Sequence, residues 1–232
     1  PDFTIVESAR AEATGYSFPS GHTQNAVGTF GGIARATKRH CLRWVCVVIF
    51  VLVSFSRMYL GVHTPLDVGV SFVIAAVLVF AIYPLMRRAD RYPRLMAGLL
   101  ASMVLLSAAY LSFTLVYPFP PDIDSANLAS GVENGWKLLG ATLGIALAWW
   151  LDRQYVRFET KAVWWVQAIK FIVGLALVVA LKAGLKAPLI ALFGGSAGLA
   201  GAVRYFLVVL AAGVLWPMAF RPLSRLGQRG EG

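Results

Sequence analysis

The stretch "PLDVGVSFVIAAVLVFAIYPLM", residues 65–86, contains 22 residues, of which Asp67 alone is charged. A helix needs about 20 predominantly apolar residues to cross the hydrocarbon core of a bilayer. The whole chain has the same character, because it is 58% hydrophobic and 14% charged, whereas soluble domains carry about 25% charged residues. The sequence therefore predicts an all-α, multi-pass transmembrane helical bundle.

Apolar runs and helix breakers divide the chain into about seven predicted spans. The spans lie at residues 23–37, 41–60, 65–86, 95–117, 136–151, 162–182 and 203–220. A further Gly-rich segment, 188–202, is too short and broken for a span and is predicted to be re-entrant or interfacial. We expect residues 1–90 to form the part of a membrane core that carries the functional site. Residues 91–232 then add transmembrane helices of unknown role.

Basic residues cluster in alternate connections between these spans. Most of the 21 lysines and arginines fall within residues 35–43, 87–94, 153–161 and 221–229. Short basic connections stay on the cytoplasmic side of a membrane, so residues 1–22 and 61–64 are predicted to face outward, in a bacterial plasma membrane. The net charge of +10 then reflects topology and contact with anionic lipid head groups, and it gives no support to nucleic-acid binding.

The first predicted helix start on the outer face is "PSGH", residues 19–22. Ser20 is a favourable N-cap residue, and Gly21 would let a ligand approach the free backbone N–H groups of the first turn. Exposed N–H groups at a helix start bind anions. His22 would lie beside such an anion.

The second helix start lies within "SRMYLGVHTPLD", residues 56–67. Thr64 fits an N-cap, Pro65 the first helical position and Asp67 the third, from which a carboxylate reaches back toward His63. A carboxylate that holds a histidine in one tautomer makes it a better base or nucleophile. Arg57 supplies a permanently charged guanidinium group, which can donate two parallel hydrogen bonds.

Each of these residues also has a purely structural interpretation. Ser20 and Thr64 could serve as caps alone, Asp67 as the acid of a capping box, and His22 as an interfacial polar residue. The combined pattern favours a site, because two histidines, a carboxylate, an arginine and two helix starts fall on one membrane face. Such a set suits a phosphate group.

The same residues resemble two signature motifs of the type-2 phosphatidic acid phosphatase superfamily. "PSGH" resembles the second motif. Ser56, Arg57, His63 and Asp67 match the third, which reads Ser-Arg, five residues, His, three residues, Asp. The first motif, a Lys followed by Arg-Pro, should precede "PSGH" and is missing from residues 1–18. The resemblance thus implies an N-terminally truncated fragment of the membrane-bound lipid phosphatase branch.

The resemblance also implies a mechanism. His63 attacks phosphorus to form a phosphohistidine, Asp67 orients His63, and His22 protonates the leaving group and then activates water. Four residues, Ser20, Gly21, Ser56 and Arg57, are implied as the phosphate-binding set. The expected substrate is a lipid phosphate such as phosphatidic acid or an isoprenoid diphosphate, with no metal or cofactor required.

Two other functions are compatible with the sequence. His22, His63 and Asp67 could form a metal site of two histidines and one carboxylate in a metal-dependent hydrolase. A transporter or lipid-binding protein without phosphatase activity is the other, supported by the broken segment 188–202 and by Lys170, a costly charge within an apolar span.

Three minor features complete the sequence-based expectations. The acids Asp122, Asp124 and Glu133 are predicted to belong to a solvated outer loop rather than an ion site. Cys41 and Cys46 are expected to be small core residues, and His40 a solvated one. The sequence does not indicate an oligomeric state.

Overall fold

The computed structural model describes residues 18–89, 91–158, 160 and 162–226, except for the side chains of residues 225 and 226. Across these ranges the chain is helical with short connections and contains no strand, which confirms the all-α prediction. The chain divides into two compact units, Pro1–Met96 and Ala97–Gly232.

The first unit contains three helices that place the candidate site. They are α1 (Gly21–Ala36), α2 (His40–Tyr59) and α3 (Pro65–Ala89). Helix α1 packs against both α2 and α3. The connections from α1 to α2 and from α2 to α3 are short, so successive helices run in opposite directions. The starts of α1 and α3 therefore lie at the same end of the unit as the end of α2.

Helix α4 (Pro93–Val116) comes next and begins near the end of the first unit. Helix α5 (Ser125–Leu151) continues into a π-helical turn, Asp152–Val156. Helices α6 (Trp164–Gly184) and α7 (Lys186–Leu192) come next. Helix α8 (Ala197–Leu210) leads through a second π-helical turn, Ala211–Leu215, into α9 (Trp216–Met218) and α10 (Phe220–Leu226).

Five helical segments in the described part of the chain are long and apolar enough to cross a membrane. They are His40–Tyr59, Pro65–Ala89, Pro93–Val116, Trp164–Leu192 and Ala197–Met218. Large hydrophobic side chains on these segments, such as Leu52, Phe80 and Phe171, are exposed, as lipid-facing side chains are. These properties are those of an integral membrane protein.

The predicted count of seven spans is not confirmed. Helix α1 has 16 residues and is therefore about 24 Å long, short of the ~30 Å hydrocarbon core. Helix α5 carries the ion pair between Glu133 Oε1 and Lys137 Nζ, 2.8 Å apart, and is not among the five segments.

The structure differs from the expectation for segment 188–202. Its first residues end the α6–α7 helical segment, and its last residues open α8. Gly194 and Gly195 have φ angles of 59° and 87°, a conformation that glycine adopts without steric cost. Residues 193–196 therefore form a tight glycine turn between two helices, and the last apolar helical segment begins at residue 197 rather than 203.

Glycines in the second unit bring α5 and α8 into backbone contact. A Cβ atom at Gly140 would collide with the backbone of Ala202, and one at Gly144 would lie 3.1 Å from the Phe206 carbonyl oxygen. A Cβ at Gly198 would strike the indole of Trp136. At these positions small residues let the two helices pack closely.

The minor expectations have mixed outcomes. Cys46 is buried, but Cys41 is exposed near the start of α2, so the core assignment of Cys41 was wrong. His40 is exposed, as predicted. Asp124 Oδ1 caps α5 by accepting the N–H groups of Ala126 and Asn127, at 2.8 and 3.1 Å.

Candidate functional site

The residues singled out by the sequence lie at the common end of α1, α2 and α3 in the first unit. Ser20, Gly21 and His22 open α1, Ser56 and Arg57 close α2, and His63 and Asp67 flank the start of α3. Every one of the seven predicted site residues is thus at this end, although their individual contacts differ from expectation.

The start of α1 has the predicted backbone but not the predicted cap. Ser20 occupies the N-cap position with φ −70° and ψ 105°, yet its side chain caps no N–H group. Its Oγ instead accepts a hydrogen bond from Thr23 Oγ1 at 3.1 Å, and both residues are fully buried. At Gly21 an added Cβ would meet no atom within 4 Å, so the first turn of α1 is sterically open.

The start of α3 is the capping box that the sequence predicts. The Thr64 N–H donates to Asp67 Oδ2 at 2.8 Å, and the Asp67 N–H donates to Thr64 Oγ1 at 3.2 Å. The helix begins at Pro65. This reciprocal pair of hydrogen bonds satisfies two backbone donors that would otherwise be unpaired. It also holds the Asp67 carboxylate beside the loop that precedes α3.

That preceding loop places His63 next to Asp67. The Nδ1 atom of His63 lies 3.8 Å from Asp67 Oδ2, and the two side chains are 12% and 7% exposed. This separation exceeds hydrogen-bond distance, and the buried Nδ1 has no hydrogen-bond partner. The Asp67 carboxylate therefore lies close to the His63 ring without a hydrogen bond to it.

The end of α2 contributes a cation with unused hydrogen-bonding capacity. Arg57 is half-buried, and its buried Nε has no hydrogen-bond partner. The neighbouring Ser56 Oγ donates to the Val53 carbonyl at 2.7 Å within α2. A serine has a single hydroxyl hydrogen, so Ser56 has no donor left for a ligand in this conformation.

The pKa of His22, at the start of α1, depends on charged residues at the other two helix ends. Desolvation lowers the pKa of His22, and the charges of Arg57 and His63 lower it further. Helix α1 is not one of the membrane-spanning candidates, and the His22 side chain is exposed at its start. Arg57 and His63 are therefore near enough to His22 for their charges to lower its pKa.

Two supporting residues escaped the sequence analysis. Thr23 is fully buried and donates to Ser20, and Ser71 is fully buried and donates to the Asp67 carbonyl at 2.7 Å. Their spacing was a usable signal, because Thr23 follows Ser20 by three residues and Ser71 follows Asp67 by four. Each hydrogen bond stabilises the first part of a helix that carries a site residue, Ser20 in one case and Asp67 in the other.

The alternative metal site is not assembled. Among the residues that the structure describes, no group of three or more His, Cys, Asp or Glu side chains converges closely enough to hold a metal ion. His63 and Asp67 are adjacent, but His22 does not join them as a third ligand.

Lys170 also has a local explanation. It is 5% exposed, and its Nζ donates to Ser224 Oγ at 2.9 Å and lies 4.6 Å from the centre of the Phe220 ring. The charged group of Lys170, on α6, therefore contacts two residues of α10 inside the second unit.

Comparison with known proteins covers both parts of the chain. Residues 1–91 match the PAP2 superfamily, and residues 136–229 match the transmembrane extension of PAP2 superfamily phosphatases. The undecaprenyl-diphosphatase BcrC of Bacillus subtilis (strain 168) is 35% identical over 78 residues, which are 34% of this chain and 39% of that protein. The chain thus spans about two fifths of this relative's length.

No solved structure matches the chain. The matched regions nevertheless include all three site helices and most of the second unit, and the site helices carry the two motifs read from the sequence. On this basis the chain belongs to the PAP2 superfamily, with the superfamily's phosphatase transmembrane extension in its second half.

Proposed function

We propose that this protein is a membrane phosphatase that hydrolyses a lipid phosphate ester or diphosphate at the non-cytoplasmic face through a phosphohistidine intermediate. One observation carries the proposal. His22, Arg57 and His63 share one end of the first unit, where Arg57 Nε and His63 Nδ1 are buried without hydrogen-bond partners. Unpaired buried donors are costly, and a bound phosphate would satisfy the arginine.

The phosphate would be held chiefly by Arg57 and by the open first turn of α1. A guanidinium recognises phosphate oxygens through paired hydrogen bonds, and the free N–H groups of a helix start add partial positive charge. The Ser20 and Ser56 side chains are engaged with Thr23 and Val53. Ser20 and Ser56 therefore contribute less than the family pattern implies, unless they rotate when substrate binds.

In the first chemical step, His63 Nε2 forms a bond to phosphorus while the bond from phosphorus to the leaving oxygen breaks, which is the ester oxygen of a monoester or the bridging oxygen of a diphosphate. The leaving oxygen takes a proton from His22. The phosphorylated imidazole carries positive charge, which the Asp67 carboxylate 3.8 Å from Nδ1 stabilises. Asp67 is itself held in place by its bonds to Thr64.

In the second step, neutral His22 takes a proton from water, whose oxygen attacks phosphorus. The phosphorus–nitrogen bond breaks, its electron pair returns to His63, and inorganic phosphate leaves. His22 is then protonated again, as the next turnover requires.

The lowered pKa of His22 fits this sequence of proton transfers. Desolvation and the charges of Arg57 and His63 lower the pKa of His22 and so favour its neutral form. A bound phosphate anion offsets the charge of Arg57, so it raises the pKa of His22 toward the acid form when a proton donor is needed. Neutral His22 is favoured again once the leaving group has taken the proton.

The substrate is expected to be a lipid. The helices beside the site belong to an integral membrane protein, and the relative that matches 78 residues is named an undecaprenyl-diphosphatase. Phosphatidic acid and an isoprenoid diphosphate are the two substrates to compare first.

The test is phosphate release by the full natural chain in detergent micelles, with EDTA present. Phosphatidic acid, phosphatidylglycerol phosphate, an isoprenoid diphosphate and a soluble phosphate ester are offered in parallel. His63→Ala should abolish release, because it removes the nucleophile. His40→Ala is the matched control and should retain activity, since exposed His40 opens α2 at the opposite end from the site.

Release that His63→Ala leaves intact would refute the phosphohistidine mechanism. Release that EDTA abolishes would favour a metal-dependent hydrolase. Substrate movement across liposomes that persists in His63→Ala, without hydrolysis by the native protein, would favour a transporter instead.

A further inference from the structure

Arg204, on α8 of the second unit, carries a buried charge that has no partner in the described part of the chain. The residue is 8% exposed, and its Nε is buried without a hydrogen-bond partner. Neither of the two ion pairs within the described ranges includes it. A guanidinium has five N–H donors, and burial of an uncompensated charge is strongly unfavourable. The observation therefore points to an anion that the chain itself does not supply.

Other buried cations of the protein are better satisfied. Lys170 donates to Ser224, and the Arg35 guanidinium lies 4.4 Å from the centre of the Phe80 ring and 5.1 Å from that of Tyr83. Arg204 contacts only the ring of its neighbour in sequence, Tyr205, at 5.6 Å, and no hydrogen bond uses its donors. In this respect Arg204 is similar to Arg57, the cation of the candidate site in the first unit.

The side of α8 that carries Arg204 faces away from α5. Ala202 and the Phe206 carbonyl lie against α5, and Arg204 is two residues from each, which places it about 200° around the helix. Ala200 and Ala211 are on the same side as Arg204 and are buried. Since α8 also packs against α6 and α7, Arg204 lies on the side of α8 that meets these helices.

A second cation lies beside Arg204 on the neighbouring helix. Helices α6 and α7 form one apolar segment, Trp164–Leu192, and the short turn 193–196 makes this segment an antiparallel neighbour of α8. Lys186 is seven residues before the turn, and Arg204 is eight residues after it. The two residues are therefore at similar heights. Lys186 is exposed, so its ammonium group is available to an anion that approaches from outside the unit.

The charge of Lys137 is also at this level, on α5. A Cβ atom at Gly201, one turn before Arg204, would lie 3.4 Å from Lys137 Cγ. The Lys137 ammonium is already paired with Glu133 at 2.8 Å. The nearby carboxylate is thus engaged with Lys137, and Arg204 keeps its full positive charge.

The position of Arg204 along α8 suits contact with the membrane surface. The apolar segment Ala197–Met218 has 22 residues and rises about 33 Å, close to the ~30 Å hydrocarbon thickness. Arg204 is seven residues from its start, a rise of roughly 10 Å. Helical side chains lean toward the helix start, and arginine is long enough to bring its charged group toward the interface. Lipid phosphate groups and dissolved phosphate are both found there.

We propose that Arg204 is the centre of a second anion site, which binds one phosphate group next to α7, with Lys186 as a flanking cation. A guanidinium recognises phosphate oxygens through paired hydrogen bonds, and the ammonium of Lys186 adds a point charge. The same chemistry serves the head group of a phospholipid and a free phosphate ion. The inference does not depend on the proposed phosphatase activity, because it concerns residues of the second unit alone.

Thermal unfolding of the full chain in phospholipid-free detergent tests the proposal. Arg57→Gln is present throughout, so that phosphate held by Arg57 in the first unit does not contribute, and this chain is the parent. Without phosphate, Arg204→Met should unfold at a higher temperature than the parent, because it removes an unpaired buried charge. With short-chain phosphatidylglycerol or inorganic phosphate added, the parent should gain about 2–4 °C or more, and Arg204→Met should gain nothing.

Three further variants make the comparison specific. Arg204→Gln should lose the response to phosphate as Arg204→Met does. Lys186→Gln should weaken the response without abolishing it. Arg153→Gln is the matched control, because it removes one exposed arginine charge from the second unit, and it should respond as the parent does.

The two ligands distinguish the sources of the phosphate group. Stabilisation by phosphatidylglycerol but not by inorganic phosphate would identify a lipid head-group site. Stabilisation by both would show that the phosphate ion alone is sufficient. Potassium chloride at equal ionic strength is the salt control and should stabilise neither the parent nor the variants.

Two results would overturn the proposal. One is a response to both ligands that is equal in the parent, Arg204→Met and Arg204→Gln, or that is absent from all three, since Arg204 would then bind no phosphate. The other is a lower unfolding temperature of both Arg204 variants in the absence of phosphate. That result would mean that the guanidinium already has a stabilising partner within the protein.

Discussion

At the residue scale, Asp67 has two functions within one turn of helix. Its Oδ2 accepts the Thr64 N–H at 2.8 Å and lies 3.8 Å from His63 Nδ1. The structural interpretation of Asp67 as a capping acid and its interpretation as a catalytic partner are therefore compatible. The capping hydrogen bonds hold the Asp67 carboxylate in place beside His63. A substitution that removes the charge of this side chain but keeps its shape can therefore separate the two functions.

Asp67→Asn makes that separation. The asparagine oxygen can still accept the Thr64 N–H, so the free energy of unfolding should change by less than about 1 kcal/mol. Loss of the negative charge should lower kcat by roughly 10²-fold or more, because the phosphohistidine loses its counter-charge. Steady-state kinetics and thermal unfolding measure the two quantities. A variant that unfolds more easily with unchanged kcat would restrict Asp67 to the cap.

The pKa of His22 gives a second prediction at this scale. It should lie below the ordinary imidazole value of about 6.5, since desolvation, Arg57 and His63 all disfavour the charged form. Arg57→Gln removes one cation and should raise the pKa of His22, but not to its ordinary value, because desolvation is the largest cause. NMR titration of the histidine ring proton in micelles measures it. An unchanged pKa in Arg57→Gln would place the guanidinium outside the site.

At the scale of helices, glycine has opposite roles in the two units. Gly28 and Gly32 border open volume, whereas Gly140 and Gly144 bring two helix backbones into contact. All four lie within helices, and both pairs are four residues apart. The local pattern is the same in each pair, so the sequence does not distinguish a packing surface from a groove.

Gly140→Ala should therefore be strongly destabilising. The new Cβ would collide with backbone atoms of Ala202, which cannot rotate away as a side chain could, and overpacking of this kind costs about 1–3 kcal/mol. Gly98→Ala, at an open helical position, should be neutral or stabilising by about 0.5–1 kcal/mol. Thermal unfolding of both variants in one detergent tests the contrast. Equal stability of the two would show that α5 and α8 are not in close contact.

At the scale of the whole molecule, the proposed outward orientation can be tested on α2 alone. This helix of 20 residues rises about 30 Å, so its two ends should lie on opposite sides of the membrane. Exposed Cys41 is near its start, and Tyr59, which is 77% exposed, is its last residue.

A membrane-impermeant maleimide should distinguish these two positions in intact cells. With Cys46→Ala throughout, Cys41 should stay unlabelled until the cells are permeabilised, because the proposed orientation places its basic segment on the cytoplasmic side. In a Cys41→Ala background, Tyr59→Cys should be labelled from outside. The reverse pattern would place the site on the cytoplasmic face.

The sequence by itself determined the helical class, the membrane character, the capping box of α3 and the grouping of the site residues near helix ends. These features depend on local hydrophobicity, on cap residues and on chain reversal, which act over a few neighbouring residues. The same local information placed Ser20 at the N-cap of α1.

The tertiary structure decided which side chains are available at the site. The Ser20 hydroxyl contacts Thr23 rather than capping α1, the Ser56 hydroxyl donates within α2, and Arg57 keeps a buried, unpaired Nε. It also decided that residues 193–196 form a glycine turn between two helices and that Gly28 and Gly32 border an open groove between α1 and α3. Such outcomes depend on which helix faces pack together, and packing is set by contacts between residues far apart in the chain.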